Sequence, residues 1–285
     1  MEPMTSSLKV GDRSFSWGQR TYIMGVLNVT PDSFSDGGEF NSLTYAVTQA
    51  QAMAAAGADI IDIGGQSTRP GAKQVTLDEE LSRVIPVIQA IRQTSHIPIS
   101  VDTTRAAVAE ASIQAGADII NDISGGTFDG EMLPTVAKLN VPIILMHIRG
   151  NPETMQQLTD YKDLIAEISD FLKQQICLAE GFGIDQKKII IDPGIGFAKN
   201  FSQNLQILRR LSEFQQLKCP ILVGVSRKSF IGHILNQPDP KKRVWGTAAA
   251  CCAAIFHGAD ILRVHDVAEI HDVAQVADGI FREFS

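Results

Sequence analysis

The sequence predicts a (β/α)8 barrel preceded by a short β-hairpin, and a repeated motif carries much of this prediction. A Gly-Ala-Asp tripeptide followed by an apolar run and a polar tip occurs as GADIIDIGG at 57–65, GADIINDISGG at 116–126 and GADILRVHD at 258–266. Each copy follows an Ala-rich stretch with helical character. Helices that end at glycine and lead into strands buried on both faces are typical of alternating α/β folds.

Eight segments have the length and composition of buried parallel strands. Helical patterns fill the intervals between them, and eight alternations of strand and helix predict a closed (β/α)8 barrel. The predicted strands lie at 22–28, 60–63, 97–101, 119–121, 142–146, 189–191, 221–225 and 261–264.

Several predicted helices have recognisable boundaries. One is expected at 43–56 after a possible cap at Ser42, and another after the Thr76 and Glu79 pair, whose spacing is that of a capping box. Pro86 is expected to kink that second helix. Apolar residues at helical spacing predict further helices at 161–180 and from Ile270 to Phe284.

The N-terminal twenty residues predict a hairpin that closes the bottom of the barrel, because Gly11 and Gly18 flank short β-prone runs. No linker or low-complexity stretch divides the rest of the chain. The predicted organisation is therefore a hairpin segment at 1–20 packed on a single (β/α)8 domain at 21–285.

Composition narrows the functional class. The chain has 285 residues, 44% of them hydrophobic and 20% charged, with a formal net charge of −7, which argues against broad binding of nucleic acid or anionic membranes. Its four cysteines form no CxxC motif and are expected to be core residues in a reducing compartment. With neither a signal peptide nor a spanning segment apparent, a soluble cytoplasmic protein is expected.

The barrel prediction separates two kinds of polar residue. Asp59, Asp118 and Asp260 precede their strands and are expected to stabilise turns at the N-terminal face. Residues that follow the strands lie at the face where barrel enzymes bind substrate. This second set comprises Asn28, Thr68, Arg69, Asp102, Asn121, Asp122, His147, Asp192, Arg227, Lys228, Arg263 and His265.

The chemistry of this second set points to a polar heterocycle joined to a phosphate. Asp102, Asn121 and Asp192 supply acceptors for ring N–H groups. Lys228, Arg263 and His265 follow the last two strands, where barrels often bind phosphate. Metalloprotease and Walker motifs are absent from the sequence. A Schiff-base role for Lys228 is a rival interpretation, and His147 is more typical of a structural histidine.

Seven motifs give the chain a specific resemblance to the dihydropteroate synthase family, from about residue 22 to the C-terminus. They are MGVLNVTPDSFSDGG, GGQSTRPGA, SVDTTR, INDISGG, DPGIGFAK, SRKSFIG and ILRVHD, and they follow the predicted strands in order. One departure is Gln66, where the family usually has Glu. It removes a charge from the loop after the second predicted strand, GGQSTRPGAKQ at 64–74 and here called the second loop, and leaves the local ion pairing of that loop open.

The resemblance implies condensation of 6-hydroxymethyl-7,8-dihydropterin diphosphate with p-aminobenzoate, releasing pyrophosphate. It implies that Asn28 binds Mg2+ and that the enzyme is a homodimer formed through its last helices. Catalytic roles are implied for Lys228, Arg263, His265 and Asp36. The implied substrate-binding residues are Thr68, Asp102, Asn121, Asp192, Lys228, Arg263 and His265, with Phe34, Arg69, Pro70, Phe197, Lys228 and Ser229 around p-aminobenzoate.

Two alternatives to this function remain at the level of sequence. A pterin-binding methyltransferase domain would share the barrel and the pterin-holding acids, but it would not need the full SRKS and RVH sets. A non-catalytic barrel that senses a phosphorylated ligand belongs to another class of protein. A turnover assay separates the sensor from an enzyme.

Overall fold

The computed structural model describes residues 7–29, 38–68, 71–72 and 74–282, which contain a two-stranded hairpin and an eight-stranded parallel sheet. The hairpin consists of β1 (Ser7–Val10) and β2 (Arg13–Ser16). The sheet contains β3 (Tyr22–Asn28), β4 (Ile60–Gly64), β5 (Ile99–Asp102), β6 (Ile119–Asp122), β7 (Ile143–Met146), β8 (Ile189–Asp192), β9 (Leu222–Val223) and β10 (Ile261–Val264).

The parallel sheet curls into a barrel. Its strands are ordered β8-β7-β6-β5-β4-β3-β10-β9. A parallel bridge between Ile191 and Ile221, with the Ile191 N–H donating to the carbonyl of Pro220 at 2.9 Å, joins β8 to the segment leading into β9. The predicted (β/α)8 barrel with an N-terminal hairpin is therefore confirmed.

Helices surround the barrel and bury one face against the outer surfaces of the strands. They are α1 (Gly38–Ala55), α2 (Leu77–Arg92), α3 (Ala106–Gln114), α4 (Met132–Leu139), α5 (Leu164–Gly181), α6 (Phe201–Arg209), α7 (Ser229–Ile234), α8 (Val244–Phe256) and α9 (Val267–Phe281).

Helix starts differ from the sequence prediction at three places, one of them being α9, which begins at Val267 and not at Ile270. Helix α1 begins at Gly38, so a cap at Ser42 is wrong. Helix α5 begins at Leu164, because the Asp163 side chain caps it by accepting from the Ala166 N–H at 3.2 Å. Helix α2 has the predicted Thr76 cap and runs from Leu77 to Arg92 with Pro86 inside it.

The hairpin covers the bottom of the barrel with aromatic rings. Phe15 and Trp17 stack at 5.7 Å between ring centroids, and Phe15 lies 4.8 Å from the ring of Tyr22, at the start of β3. These rings form one buried cluster with the lowest layer of inward-facing strand residues, which includes Met24 and Ile144. An apolar plug therefore fills the lower part of the barrel.

Three aspartates at the N-terminal face stabilise the structure, as predicted. Asp59 accepts from Arg20 at 2.6 and 3.0 Å, and from the Ile23 N–H at 2.9 Å. Asp118 pairs with Arg92, and Asp260 accepts backbone N–H groups of the hairpin and of the β9 entry. These carboxylates tie neighbouring strand starts together.

Within the described part of the chain, every helix is too short or too polar to cross a bilayer.

Candidate active site

Polar side chains line the carboxyl-end face of the barrel, here called the mouth. Asn28, Asp102, Asn121 and Asp192 lie at the ends of β3, β5, β6 and β8. Arg263 lies within β10 and His265 directly follows it. Parallel strands bring their ends to one edge, so residues up to 237 positions apart in sequence, Asn28 and His265, share this face.

The centre of the mouth is a buried charge cluster built around Arg263. Its Nε and Nη2 atoms lie 2.7 and 2.6 Å from Asp62 Oδ2, and Nη2 also donates to Asp102 Oδ2 at 2.9 Å. Burial alone lowers the pKa of Arg263, but the charges of Asp62 and Asp102 outweigh it and raise the pKa above its ordinary value. The guanidinium therefore stays charged.

Asp62 belongs to this cluster although sequence analysis did not select it. It is 0% exposed, and Asn121 Nδ2 lies 3.4 and 3.3 Å from its two oxygens. The sequence does contain a signal, because an aspartate in the middle of the apolar run IIDIG is costly to bury unpaired. What the sequence lacks is its partner, which lies 201 residues away.

Asp192 uses one carboxylate oxygen to hold the loop after β8, and its other oxygen faces the mouth. Its Oδ1 accepts from the Gly194 N–H at 2.7 Å. Burial raises the pKa of Asp192 to about 6, against the opposing effects of that hydrogen bond and of Lys228. Burial likewise raises the pKa of Asp102 above its ordinary value, opposed mainly by Arg263.

Lys228 presents a cation to the mouth. Its Nζ lies 4.3 Å from the ring centroid of Phe197, and among the described residues it has no carboxylate within ion-pair distance. Burial lowers the pKa of Lys228 to about 8, opposed by the charge of Asp192. Gly196 lies directly beside it, since a Cβ there would be 3.1 Å from Nζ. Ser229 is the exposed first residue of α7.

Arg227, one of the residues that follow the predicted strands, is not a free cation. Its guanidinium forms a two-point ion pair with Asp266, and its carbonyl accepts from Arg243 Nη1 at 2.9 Å. Its backbone has a φ of 60°, which is strained for a residue with a side chain. The pair instead fixes the loops that carry Lys228 and His265.

The surroundings of His265 disfavour protonation of its ring. Burial, then the charges of Arg227 and Arg263, lower its pKa to about 3. Ser226 Oγ accepts from the backbone N–H of His265 at 3.1 Å and lies 3.0 Å from Nδ1, to which it can donate its own proton, leaving the ring N–H on Nε2. The histidine can therefore offer a hydrogen bond from a neutral ring.

His147 and Lys199 form a second buried pair beside the mouth. Lys199 Nζ lies 2.8 Å from His147 Nδ1, 2.8 Å from the Phe197 carbonyl and 3.3 Å from the His147 carbonyl. Burial lowers the pKa of Lys199 well below its ordinary value and that of His147 to about 2. His147 thus has the structural role that its sequence context indicated.

Asp122, also at the end of β6, is used by its own loop. Its two oxygens accept the N–H groups of Ser124 at 2.7 Å and Gly126 at 2.9 Å, and the side chain is 0% exposed. Burial raises its pKa to about 6. Asp122 therefore holds the turn after β6 and is not presented to a ligand.

Asn28 is the residue at the mouth that best fits a metal ligand. A Cβ at Gly64 would lie 3.7 Å from Asn28 Oδ1 and 3.8 Å from Asp102 Oδ2, so both oxygens border the same space. The described residues contain no cluster of three or more histidines, cysteines or acids. A lone amide oxygen still fits Mg2+, which takes few protein ligands when it also binds substrate phosphates.

The second loop is anchored at its base. Gln66 Oε1 accepts from the Val75 N–H at 3.3 Å, so the amide replaces a charge without leaving the position unpaired. The nearby ion pair joins Glu80 to Arg105 at 2.7 Å. Thr68 is half-buried at the end of the described stretch. The predicted site residues Phe34, Asp36, Arg69 and Pro70 lie outside the described residues.

Comparison with known proteins identifies the class to which this barrel, with its buried acceptors and ionic cluster at the mouth, belongs. A family model described as pterin binding enzyme matches residues 24–265. The chain therefore belongs to the pterin-binding enzymes.

Individual relatives narrow the class further. A dihydropteroate synthase from Synechocystis is 62% identical over 275 residues, covering 96% of this chain and 95% of that protein. A Clostridium difficile dihydropteroate synthase structure, determined in the presence of pteroic acid, has a TM-score of 0.90 and 48% identity, covering 94% and 100%. A Xanthomonas albilineans dihydropteroate synthase with 4-aminobenzoic acid has a TM-score of 0.90 and 42% identity, covering 97% and 98%.

These relatives place the chain among the dihydropteroate synthases, which are transferases.

Proposed function

We propose that this chain condenses 6-hydroxymethyl-7,8-dihydropterin diphosphate with p-aminobenzoate to give 7,8-dihydropteroate and pyrophosphate. The observation that carries this proposal is that hydrogen-bond acceptors and cations meet at one mouth. Acceptors from Asp102, Asn121 and Asp192 line its walls, and the cations of Arg263 and Lys228 lie among them. That arrangement suits a heterocycle rich in N–H groups that bears an anionic leaving group.

The pterin would be held by the three acceptor side chains. Asp192 keeps Oδ2 for the ligand because Oδ1 is bound to the Gly194 N–H. Asp102 uses Oδ2 for Arg263, which leaves Oδ1 for the ligand. Each acceptor is thus fixed by one protein contact before the substrate arrives, which limits the reorganisation needed on binding.

The diphosphate would lie against Arg263, Lys228 and His265, with Thr68 as a further donor. Mg2+ held by Asn28 would neutralise part of the charge of the leaving group. Arg263 and Lys228 supply fixed positive charges, and the neutral His265 supplies a hydrogen bond. This division of roles supports departure of the diphosphate as the step that the site promotes.

The arylamine would bind beside Phe197, Lys228 and Ser229. The Phe197 ring offers an apolar face and the Lys228 ammonium lies above it. Phe34, Arg69 and Pro70 would complete this side, and Asp36 would belong to the first loop. Cleavage of the carbon–oxygen bond releases pyrophosphate, the amine nitrogen then forms the new carbon–nitrogen bond, and the amine loses a proton.

The test is a turnover assay with the pterin diphosphate, labelled p-aminobenzoate and Mg2+, following dihydropteroate. We expect product with both substrates and Mg2+, and none in excess chelator. Asn28→Ala should raise the Mg2+ concentration required for half-maximal rate. Full activity in chelator would contradict the metal role, and absence of product under any condition would contradict the reaction.

Homodimer formation through the last two helices forms part of the same proposal. Large apolar side chains are exposed on α8 and α9: Phe256 at 60%, Val276 at 65%, Ile280 at 66% and Phe281 at 41%. Phe256 and Phe281 contact each other at 5.0 Å between ring centroids, so the two helices share one patch. Ile280→Glu should shift the sedimentation coefficient toward that of a monomer. We further propose a cytoplasmic location.

A further inference from the structure

Asp62 has a position that the proposed reaction does not by itself explain. Its side chain is fully buried within β4, two residues before Gly64 at the end of the strand. It is therefore not exposed to a substrate at the mouth. It nevertheless contacts two residues assigned to the substrate, Arg263 and Asn121. Its influence on a ligand must therefore pass through them.

The contact with Asn121 determines which end of that amide faces the ligand. Asp62 forms an ion pair with Arg263, and a carboxylate in such a pair accepts hydrogen bonds, so the group that Asn121 turns toward Asp62 is its NH2. Nδ2 lies 3.4 and 3.3 Å from the two carboxylate oxygens. None of the described residues donates to Oδ1, which leaves this oxygen for a ligand.

The contact with Arg263 fixes the guanidinium in the same way. Nε and Nη2 both lie against Asp62 Oδ2, at 2.7 and 2.6 Å, and Nη2 also reaches Asp102. Two of the three nitrogens are therefore held by carboxylates. Nη1 is the nitrogen without an acceptor among the described residues.

We propose that Asp62 is a positioning residue that sets the hydrogen-bond polarity of the pterin pocket. It turns the Asn121 amide so that its oxygen faces the ligand, and it turns Arg263 so that Nη1 faces the anion. The pocket thereby favours a heterocycle edge that carries an amino donor over one that carries a carbonyl. This inference rests on the proposed function, since it assigns specificity to the same pocket.

The central experiment measures binding of two heterocycles by calorimetry, without diphosphate. One is 6-hydroxymethylpterin, and the other is its 2,4-dioxo analogue, in which a carbonyl replaces the 2-amino group. In Asp62→Asn the residue facing Asn121 can donate, so the Asn121 amide is free to reverse. We expect the ratio of the two dissociation constants to narrow by about tenfold, the scale of one mismatched buried hydrogen bond.

A matched control and a double variant separate this role from a general loss of structure. Asp59→Asn removes a carboxylate paired with arginine at the opposite face and should leave the ratio unchanged. In an Asn121→Ala background, Asp62→Asn should no longer change the ratio, because its effect passes through the missing amide. An unchanged ratio in Asp62→Asn, or an equal change with and without Asn121, would overturn the proposal.

Neutron diffraction of deuterium-exchanged wild-type crystals decides the question without a variant, should Asp62→Asn fail to fold. Amide deuterons of Asn121 directed at Asp62 are expected, and deuterons directed at the mouth would overturn the inference. Binding of the two heterocycles to the wild-type protein separates the proposed pterin function from the proposed role of Asp62. If the wild-type protein binds both heterocycles equally, the proposed pterin function is contradicted. If the wild-type protein prefers the pterin and Asp62→Asn keeps the same ratio of dissociation constants, only the role of Asp62 is contradicted.

Discussion

At the scale of single residues, Asp192 has the clearest test of its role. Its Oδ1 is committed to the Gly194 N–H, so in Asp192→Asn the amide oxygen keeps that bond and NH2 turns toward the mouth. A donor then faces the donors of the pterin. We expect affinity for a pterin without diphosphate to fall by about 1–3 kcal/mol or more. Calorimetry measures this, and an unchanged affinity would contradict the assignment.

The stability of Asp192→Asn separates loss of recognition from loss of fold. Burial raises the pKa of Asp192 from an ordinary 3.8 to about 6, so the folded protein holds this proton more tightly than the unfolded chain. Stability from this group is therefore greatest at low pH and is lost as pH rises from about 4 to about 6. At pH 7, removing the buried charge should raise the melting temperature of the unliganded protein while binding weakens.

The pH dependence of kcat/KM should be bell-shaped because buried carboxyl groups and the Lys228 ammonium at the mouth titrate near neutrality. Below about pH 6, Asp192 gains a proton and offers a donor where an acceptor is needed. Above about pH 8, Lys228 loses the charge that faces the diphosphate. Activity should fall on both sides.

Binding of diphosphate-free pterin isolates the acid limb, because the titration of the substrate's own phosphates is then removed. Asp192→Asn should shift that limb, because Asp102, whose pKa burial also raises, is then the acid that remains at the mouth. A limb that is unchanged in this variant would show that Asp192 does not contribute to it.

Residue types at the mouth follow from the sequence, whereas their pairing does not. Strand ends are visible in the apolar pattern, so Asp102, Asn121 and Asp192 are found by position alone. Arg227 and Lys228 are adjacent and chemically similar, yet the fold brings Asp266 to Arg227 and places no carboxylate of the described residues within ion-pair distance of Lys228. Long-range ion pairs determine which charges are available, and such partners leave no local signal.

At the scale of elements, the loop between β8 and α6 is held from inside by Lys199. Its Nζ joins the Phe197 carbonyl to the imidazole and carbonyl of His147. Gly194 permits this close packing, with a φ of 72° and a hypothetical Cβ only 2.0 Å from the His147 carbonyl. The position of the Phe197 ring therefore depends on a tether two residues further along the chain.

Lys199→Met should raise the KM for p-aminobenzoate by about tenfold, since unpaired carbonyls allow the loop and Phe197 to shift. Affinity for pterin alone should change less. Lys188→Met is the matched control, because Lys188 contacts Asn140 at an exposed site at the opposite end of β8. Steady-state kinetics at saturating pterin diphosphate measure the effect, and equal KM values for the two variants would rule out the tether.

Element boundaries could be predicted where a local interaction creates them. The Thr76 cap and the strand from Tyr22 to Asn28 depend on residues that are close in sequence, and both agree with the structure. Strand β9 spans only Leu222–Val223 although its apolar run is longer. Strand length depends on neighbours that supply hydrogen bonds, and these belong to other parts of the chain.

At the scale of the whole molecule, the barrel separates stability from function along its axis. The hairpin, its aromatic rings and the lowest layer of strand residues fill the bottom, and the ionic cluster fills the top. The barrel itself was predictable because alternation of helix and strand is a property of the entire sequence. The sequence does not predict how the hairpin closes the bottom, because this depends on the packing of Phe15, Trp17 and Tyr22 against one another.

Phe15→Ala should therefore lower stability without changing catalysis. Phe15 is 1% exposed among the rings of the plug, so its truncation leaves a cavity that costs about 3–5 kcal/mol in free energy of unfolding. Because the mouth lies at the other end of the strands, kcat/KM measured well below the melting temperature should match that of the wild type. Leu178→Ala, on the exposed face of α5, should change stability by about 0.5 kcal/mol at most. Denaturant unfolding and steady-state kinetics on the same preparations test both statements, and a proportionate loss of kcat/KM in Phe15→Ala would show that the two ends of the barrel are coupled.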